Sequence, residues 1–403
     1  MTGIEKCRYL AGFSEEPGVI TRTFLSAPMH GVHRTLREWM EPLGMRVWVD
    51  DAGNLHGHYP GIDEDAPRLL IGSHVDTVPN AGAFDGVLGV VLGIQLIEAL
   101  IGHKMIFGIE IVAFSEEEGV RFGVPFLGSR ALVGTLTAEL LATQDKQGIT
   151  VAQAIRDFGL QPENICQAVV HSDKVLGYLE FHIEQGPILE SRNLGLGLVT
   201  AIVGQSRYEV TFRGQANHAG TTPMNLRRDA LAAAAEWIVK VEEVAKGQLD
   251  LVATIGRLEV LPGAGNVIAG EVQASLDVRH PDDYVRLHMA EVFLEAAQSI
   301  GKNRNIGVDF VTLMDVRSVV CDTDLRNALK RALITSGYKF HCMTSGAGHD
   351  AMVMKQSVPV AMLFLRSPGG ISHHPSETVL EEDVHAAVQV GLAFLEQLEM
   401  SHG

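Results

Sequence analysis

Short apolar segments alternate with amphipathic ones over the first 190 residues of the chain. The segments RLLIGSHV and MIFGIEIVAF are continuous hydrophobic runs that predict buried strands, and residues 86–101 between them predict a helix. A strand, a helix and a second strand in this order are typical of a βαβ unit. The segment LGYLEFHIEQGPIL predicts a further strand that ends in polar residues. The pattern therefore indicates an α/β sheet with helices packed on its faces.

The pattern changes from about residue 203 onward. A half-exposed strand and a strong helix are followed by two strands, a helix and a last strand, in the segments RYEVTFRGQA, RRDALAAAAEWIVKVEEVAK, VATIGRLEVLPG, NVIAGEVQASLDVRH, DDYVRLHMAEVFLEAAQSIG and NIGVDFVTLM. The order β-α-β-β-α-β is typical of a ferredoxin-like α+β fold. The α/β pattern resumes after about residue 317, with a helix at 323–336 and the strand VPVAMLFLR. We therefore predict a catalytic α/β domain of residues 1–202 and 317–403, interrupted by an inserted domain of residues 203–316.

The length and the net charge of the chain exclude several classes of protein. A chain of 403 residues usually divides into two domains. The formal charge of −17 argues against nucleic acid and anionic membranes as partners, because both need a basic surface. The longest apolar stretches carry Gln95 and Glu98 and are too short to span a bilayer, and the N-terminus does not resemble a signal peptide. The four cysteines are widely spaced without a CxxC motif, which predicts reduced, packed thiols and a cytoplasmic protein.

Histidines and carboxylates gather where the predicted strands end. Ligands of an open α/β sheet collect outside the C-terminal ends of its strands. The polar residues at these ends and in the loops that follow are His74, Asp76, Asp85, Glu116, Glu117, Glu118, His182, Glu184, Gln185, His373 and His374. Imidazole and carboxylate bind divalent metal ions, and one carboxylate can bridge two of them.

Each of these residues also has a simpler structural interpretation. A single histidine at a strand end is usually a hydrogen-bonded structural residue, a run of three glutamates is usually a solvated surface, and Asp85 precedes a predicted helix as an N-cap would. The spacing of His74 and Asp76 suits a ligand histidine whose other ring nitrogen donates to a carboxylate. The joint occurrence at successive strand ends favours a hydrolytic metal site.

Twelve segments in order resemble the M20 metallopeptidase superfamily. Within it they resemble the branch of amidases, hydantoinase-associated carbamoylases and allantoate amidohydrolases. The matching segments are GNLHG, GSHVDTV, GAFDGVLG, FSEEEGVRF, FLGSRAL, HIEQGPILE, IVGQSRYEVTFRGQANHAGTTPM, RRDA, NVIAGEV, DVRH, SGAGHDAM and GGISHHPSE. The resemblance implies a catalytic domain with a central mixed β-sheet flanked by helices, and an inserted dimerisation or lid domain through which a homodimer forms.

The resemblance also implies two divalent metal ions, Mn²⁺ or Zn²⁺, in each subunit. Their expected ligands are His74, Asp85 as the bridge, Glu118, His182 and His373. In the family motif the acid directly before glycine is the ligand and the acid before that is the general base, which assigns proton transfer to Glu117. Asp76 belongs to the catalytic group beside His74. The roles of Glu116 and His374 stay open, with Glu116 as a supporting acid and His374 as a neighbour of the ligand.

For the substrate, the resemblance implies a ureido group on a small molecule that bears a carboxylate. Arg279, Asn266 and Gln185 fall at positions that bind the carboxylate, where arginine can hold both oxygens. His218 and His349 match histidines that hold the scissile carbonyl oxygen and stabilise its developing charge, so His218 is also counted as catalytic.

The wider sequence favours allantoate as this substrate, with hydrolysis to ureidoglycine, CO2 and ammonia. N-carbamoyl-L-amino acid hydrolases and β-ureidopropionase-like enzymes share the same motifs and are the alternative. A more remote alternative is an M20 aminoacylase or dipeptidase, against which HIEQG counts because peptidases tend to carry an acid in place of this histidine. The intact set of ligand residues also counts against a metal-free binding protein on the same fold.

Overall fold

The computed structural model describes residues 1–402. These residues form fourteen strands: β1 (Arg46–Val49), β2 (Leu55–Tyr59), β3 (Arg68–His74), β4 (Gly108–Phe114), β5 (Val175–Ile183), β6 (Leu196–Ile202), β7 (Gly204–Arg213), β8 (Val252–Thr254), β9 (Leu258–Leu261), β10 (Glu271–His280), β11 (Gly307–Val316), β12 (Val319–Val320), β13 (Phe340–Ser345) and β14 (Val360–Leu365). They also form twelve α-helices: α1 (Gly3–Ala11), α2 (Met29–Met40), α3 (Val87–Ala99), α4 (Leu127–Leu132), α5 (Ala138–Leu141), α6 (Val151–Asp157), α7 (Ile188–Ser191), α8 (Ala230–Lys246), α9 (Asp283–Asn303), α10 (Thr323–Thr335), α11 (Asp350–Met354) and α12 (Glu381–His402).

The chain divides into two compact units. The first consists of Met1–Thr200 with Cys321–Gly403, and the second of Ala201–Val320. The second unit is thus continuous in sequence and interrupts the first. The role of this insert in dimerisation stays a prediction.

A mixed β-sheet of nine strands carries the site. Its order is β1-β2-β4-β3-β5-β14-β6-β12, with β13 paired to β6. The four central strands β4, β3, β5 and β14 are parallel, whereas β1, β2 and β6 join the sheet in antiparallel pairs. Strands β4, β5 and β14 are buried almost throughout, which explains their continuous hydrophobic sequences. The prediction of a central mixed sheet flanked by helices is confirmed.

Helix α3 packs closely on this sheet. It is apolar except for Gln95 and Glu98, and ten of its residues are buried, as expected for a helix largely enclosed in the core. A side chain at Gly89 would collide with the backbone oxygen of Phe181 in β5, so the glycine lets the helix approach the strand. The helix begins after Gly86, which occupies the N-cap position without any side-chain cap. The interpretation of Asp85 as an N-cap is therefore wrong.

The second unit has its own antiparallel sheet, in the order β11-β7-β10-β8, with β9 also paired to β10. Alternate residues of β10 are buried, because one face of the sheet packs on a core shared with helices α8 and α9. The indole N–H of Trp237 in α8 donates to the backbone oxygen of Phe293 in α9. The succession of strands and helices is the ferredoxin-like one, except that the predicted single strand VATIGRLEVLPG is two short strands, β8 and β9.

The cysteines differ in part from the prediction. All four are free, and Cys7 and Cys321 are buried as packed thiols. Cys166 and Cys342 are exposed, so the prediction of packed thiols is wrong for these two. None of the helices within residues 1–402 combines the length and the hydrophobicity needed to cross a lipid bilayer.

Candidate active site

The candidate site lies at the C-terminal edge of the four parallel strands. His74 ends β3, His182 lies near the end of β5, and Glu118 follows β4. His373 lies in the segment after β14, and Asp85 lies just before α3. Because parallel strands end at the same edge of a sheet, residues far apart in sequence meet there.

Asp85 is the centre of this cluster, and its two carboxylate oxygens face different groups. Oδ1 lies 3.2 Å from Nε2 of His182 and 3.8 Å from Nε2 of His74. Oδ2 lies 3.0 Å from Nε2 of His373, and this nitrogen is 3.5 Å from Oε1 of Glu118. The residues thus form two triads that share Asp85, and each triad has a geometry that could hold a metal ion.

Hydrogen bonds orient the two buried histidines of the first triad. Nδ1 of His182 donates to the backbone oxygen of Ile183 at 2.9 Å, and Nδ1 of His74 lies 3.1 Å from the backbone oxygen of Asp76. These contacts turn Nε2 of both rings toward Asp85. Ring nitrogens fixed in this way are typical of metal-binding histidines.

The donor atoms at the centre fit a cation. Burial lowers the pKa of His182 to about 4, although the charge of Asp85 acts in the opposite direction. The neutral ring then presents the lone pair of Nε2 to a carboxylate oxygen 3.2 Å away. Neither Nε2 of His182 nor Oδ1 of Asp85 has a hydrogen-bond partner within residues 1–402, and both are buried. Two acceptors that face each other in a buried site repel unless a positive ion lies beside them.

Charges within the cluster shift the pKa values of its members. Burial would raise the pKa of Asp85, but the hydrogen bond from His373 and the charge of His74 hold it well below its ordinary range. The hydrogen bond to Asp85 raises the pKa of His373 to about 8. Burial would lower the pKa of His74, yet the hydrogen bond to Asp76 and the surrounding carboxylates raise it well above its ordinary value.

The three consecutive glutamates do not form a solvated surface. Glu116 is fully buried, and its Oε1 accepts a hydrogen bond from the backbone N–H of Gly119. Burial raises the pKa of Glu117 well above its ordinary range, against the opposing charge of His74. Burial likewise raises the pKa of Glu118 to about 7. Both Glu117 and Glu118 can offer an oxygen to a group that includes His74.

Comparison with known proteins places the chain in a family. The model of Peptidase family M20/M25/M40 matches residues 70–397. The chain belongs to this family.

Relatives and solved structures show which branch of the M20 family the chain resembles. Allantoate deiminase 1 of Glycine max is 39% identical over 96% of this chain and 87% of its own length. The N-carbamoyl-L-amino acid amidohydrolase of Geobacillus stearothermophilus is 39% identical over 93% of this chain and 92% of its own length. A solved amidase of the hydantoinase/carbamoylase family from Burkholderia multivorans has a TM-score of 0.91 and 32% identity, over 98% of this chain and 96% of that one. This M20 protein is therefore an amidohydrolase that acts on C–N bonds other than peptide bonds.

Gln185 of the M20 protein directly contacts the cluster of residues that could bind metal. Its side-chain Nε2 donates to Oδ2 of Asp85 at 3.0 Å and lies 3.4 Å from Nε2 of His373. Gln185 and His373 both have left-handed backbones, with φ of 60° and 55°. Such strain in residues other than glycine is concentrated at functional sites. The predicted contact of Gln185 with the substrate carboxylate stays a prediction.

His349 lies deep in the first unit. It is 1% exposed, its ring centroid is 4.5 Å from that of His182, and its Nε2 is 2.7 Å from Oγ of Ser345. With His182 it forms a further cluster that includes Glu180, a buried residue that is not among the predicted site residues. Glu180 and His182 are two residues apart on β5 and so share one face. This spacing is the sequence feature by which Glu180 could have been predicted to lie near the site. Burial raises the pKa of Glu180 to about 7.

The other predicted substrate-binding residues belong to the second unit. His218 is exposed and pairs through its backbone with Val267, next to Asn266. The backbone N–H of Ala219 donates to the backbone oxygen of Asn266 at 3.0 Å, so the loops that carry His218 and Asn266 are adjacent. The guanidinium of Arg279 donates to both carboxylate oxygens of Asp277, at 2.9 and 3.1 Å.

Proposed function

We propose that this protein is a binuclear metal-dependent amidohydrolase that cleaves the ureido C–N bond of a small molecule bearing a carboxylate. The observation that carries the proposal is the position of Asp85 between two triads of ligand atoms. Its Oδ1 faces His74 and His182, and its Oδ2 faces His373 beside Glu118. A carboxylate placed in this way is suited to bridge two ions.

Under this proposal His74, Asp85 and His182 hold one ion, and Asp85, Glu118 and His373 hold the other. When bound, a pair of divalent ions supplies the Lewis acidity that makes water a nucleophile at neutral pH and polarises a carbonyl. The mixed nitrogen and oxygen donors suit Zn²⁺ and Mn²⁺. Gly86 leaves the space that this arrangement needs, because a side chain there would collide with the ring of His74.

Glu117 is the proposed proton carrier. Its carboxylate takes a proton from the attacking water and returns it to the leaving nitrogen. Burial raises the pKa of Glu117 well above its ordinary range, which increases the affinity of its carboxylate for the proton that it takes from water. Asp76 holds the backbone of Glu117 through a hydrogen bond of 3.0 Å. In the second unit, His218 is proposed to stabilise the oxygen of the scissile carbonyl, and Asn266 and Arg279 to bind the substrate carboxylate.

Allantoate is the substrate that we propose, with hydrolysis of one ureido group to ureidoglycine and a carbamate that decomposes to CO2 and ammonia. The similarity to an allantoate deiminase over 96% of the chain supports it. An N-carbamoyl-L-amino acid is the second candidate, because the identity to an amidohydrolase of that class is also 39%.

Ammonia release after metal exchange tests the proposal. The protein is dialysed against a chelator, reconstituted with Mn²⁺ or Zn²⁺, and assayed with allantoate, N-carbamoyl-L-amino acids, β-ureidopropionate and an N-acetyl amino acid. We expect no activity without metal, restored activity with it, and the highest kcat/KM for allantoate. A preference for an N-carbamoyl-L-amino acid would select the second candidate. Cleavage of the N-acetyl amino acid alone would contradict a ureido amidohydrolase.

The homodimer is also a proposal, and the edge of the second unit's sheet supports it. Strand β11 has ten residues and forms one edge of the sheet. Its residues Val311 and Leu313 are 60% and 61% exposed to solvent. Long, apolar edge strands offer unpaired backbone groups to another chain. The opposite edge consists of two short strands, β8 with three residues and β9 with four. We therefore propose that β11 of two copies pair and form one continuous sheet.

A further inference from the structure

Glu377 is a buried carboxylate that contacts the loop of Asp85. It is the last residue of the segment GGISHHPSE, but the proposed mechanism gives it no role. It is 5% exposed. Its Oε1 accepts hydrogen bonds from the backbone N–H groups of Phe84 and Asp85, at 2.9 and 3.0 Å. These bonds connect positions about three hundred residues apart and fix the backbone of the residue that lies between the two triads.

The loop is shaped to receive this side chain. A side chain at Gly82 would collide with the side chain of Glu377, so only glycine allows the approach. The other oxygen, Oε2, lies 3.2 Å from the hydroxyl of Ser372, and the same hydroxyl is 3.1 Å from Oδ2 of Asp85. Glu377, Ser372 and Asp85 thus form one hydrogen-bonded group.

This group connects two of the three loops that supply the Asp85–Glu118–His373 triad, the loop of Asp85 and the loop of His373. Ser372 directly precedes His373, and the backbone N–H of Glu377 donates to the backbone oxygen of His374 at 3.0 Å. His74 and His182 lie at the ends of paired strands, whereas His373 lies on a loop with φ of 55° and a side chain 47% exposed. The position of His373 relative to Asp85 therefore depends on loop contacts rather than on the sheet.

We propose that Glu377 is a positioning residue that holds Asp85 and His373 at the separation needed by the ion of the Asp85–Glu118–His373 triad. This inference rests on the proposed binuclear site. Residues that orient ligands in this way affect metal affinity by about 10- to 100-fold when they are changed. The effect falls mainly on this ion, because strands hold His74 and His182 of the first triad, whereas Glu377 contacts both the Asp85 loop and the His373 loop.

Metal binding by Glu377→Ala and Glu377→Gln tests the proposal without an activity assay. We expect wild-type protein to retain two ions after dialysis, measured by mass spectrometry of the metal content. Glu377→Ala is expected to retain one, with the dissociation constant of the weaker ion raised by about 10- to 100-fold in a chelator competition. Glu377→Gln keeps an acceptor for the two backbone N–H groups, so its loss of affinity is expected to be smaller but measurable.

Glu399→Ala is the matched control. Its Oε1 accepts a hydrogen bond from the backbone N–H of Ile106 at 2.9 Å, again across 293 positions, but this loop carries no ligand residue. We expect two ions at wild-type affinity in this variant. Equal loss of both ions in Glu377→Ala would overturn the positioning role, as would wild-type affinity in Glu377→Gln if the alanine variant does not fold. A wild-type protein that binds no divalent metal would instead refute the proposed function.

Discussion

Oδ1 of Asp76 accepts a hydrogen bond from the backbone N–H of Glu117 at 3.0 Å. The other oxygen of the same carboxylate accepts one from the N–H of Glu118 at 3.1 Å. Asp76 thus fixes the backbone of both glutamates directly after β4, while Glu116 turns to the N–H of Gly119. One short run of acids is thereby divided into side chains with different surroundings.

Glu117→Gln is expected to abolish turnover without loss of metal. The amide has nearly the same shape as the carboxylate but cannot accept the proton of the attacking water, so kcat should fall by about 10²- to 10⁴-fold. The metal content, measured in the same preparation, should stay at the wild-type value. Glu118→Gln is the matched variant and should lose metal. Turnover at the wild-type rate in Glu117→Gln would refute its role as general base.

Arg279→Ala is expected to weaken substrate binding. Loss of a charged hydrogen bond costs about 1.5–3 kcal/mol, which corresponds to a reduction of kcat/KM by roughly 10- to 150-fold, mainly through KM. Arg207→Ala is the control, because Arg207 pairs with the same Asp277 at 2.9 Å but has no proposed contact with substrate. Steady-state kinetics with a carboxylated substrate distinguish Arg279→Ala from Arg207→Ala. Equal effects of both variants would show that the arginines act only through Asp277.

Substitution of both Val311 and Leu313 by lysine is expected to dissociate the dimer. The two charges would repel their counterparts on a second copy and block the pairing of the β11 edges. Sedimentation analysis should show a dimer for the wild type and a monomer for the double variant. Val252→Lys provides the control, because Val252 is an apolar residue of β8 with 57% exposure. A dimer that survives the double substitution would place the interface elsewhere.

Buried His56 is expected to make a pH-dependent contribution to the free energy of unfolding. Burial would lower its pKa, but hydrogen bonds to Asp50 and Glu110 raise it from 6.5 to about 9. A raised pKa means that this contribution is complete below pH 6.5 and is lost as the pH rises through 9. The free energy of unfolding of His56→Gln should therefore fall below that of the wild type by on the order of 3 kcal/mol at pH 6 and by less at pH 10.

Urea unfolding of both proteins between pH 6 and 10 measures this difference. His58→Gln is the control, since burial lowers the pKa of His58 on the same strand. The difference in free energy of unfolding between His58→Gln and the wild type should not decrease between pH 7 and 10. If the free energy of unfolding of His56→Gln differs from that of the wild type by the same amount across this pH range, His56 is not charged in the folded protein.

Hydrophobic periodicity predicted the segments whose environment is uniform. Residues 86–101 were predicted as a helix and α3 spans Val87–Ala99, and the continuous apolar runs became the central parallel strands. The segment VATIGRLEVLPG was predicted as one strand, but it contains two short strands around an interruption at 255–257, where Gly256 and Arg257 break the apolar pattern. Strand β13 was not predicted, since its segment KFHCMTS is only partly buried and lacks a clear alternation.

By itself the sequence determined the family and the kinds of side chain at the strand ends, because local burial and short motifs depend on neighbours in the chain. Only the tertiary structure decided which atoms face each other. It placed Asp85 between two triads, directed Gln185 to Asp85 and brought Glu377 to the same loop. The contacts of Gln185 and Glu377 with Asp85 join positions about one hundred and three hundred residues apart. They depend on the order of strands in the sheet and on loop conformations, which the local pattern of hydrophobic and polar residues does not encode.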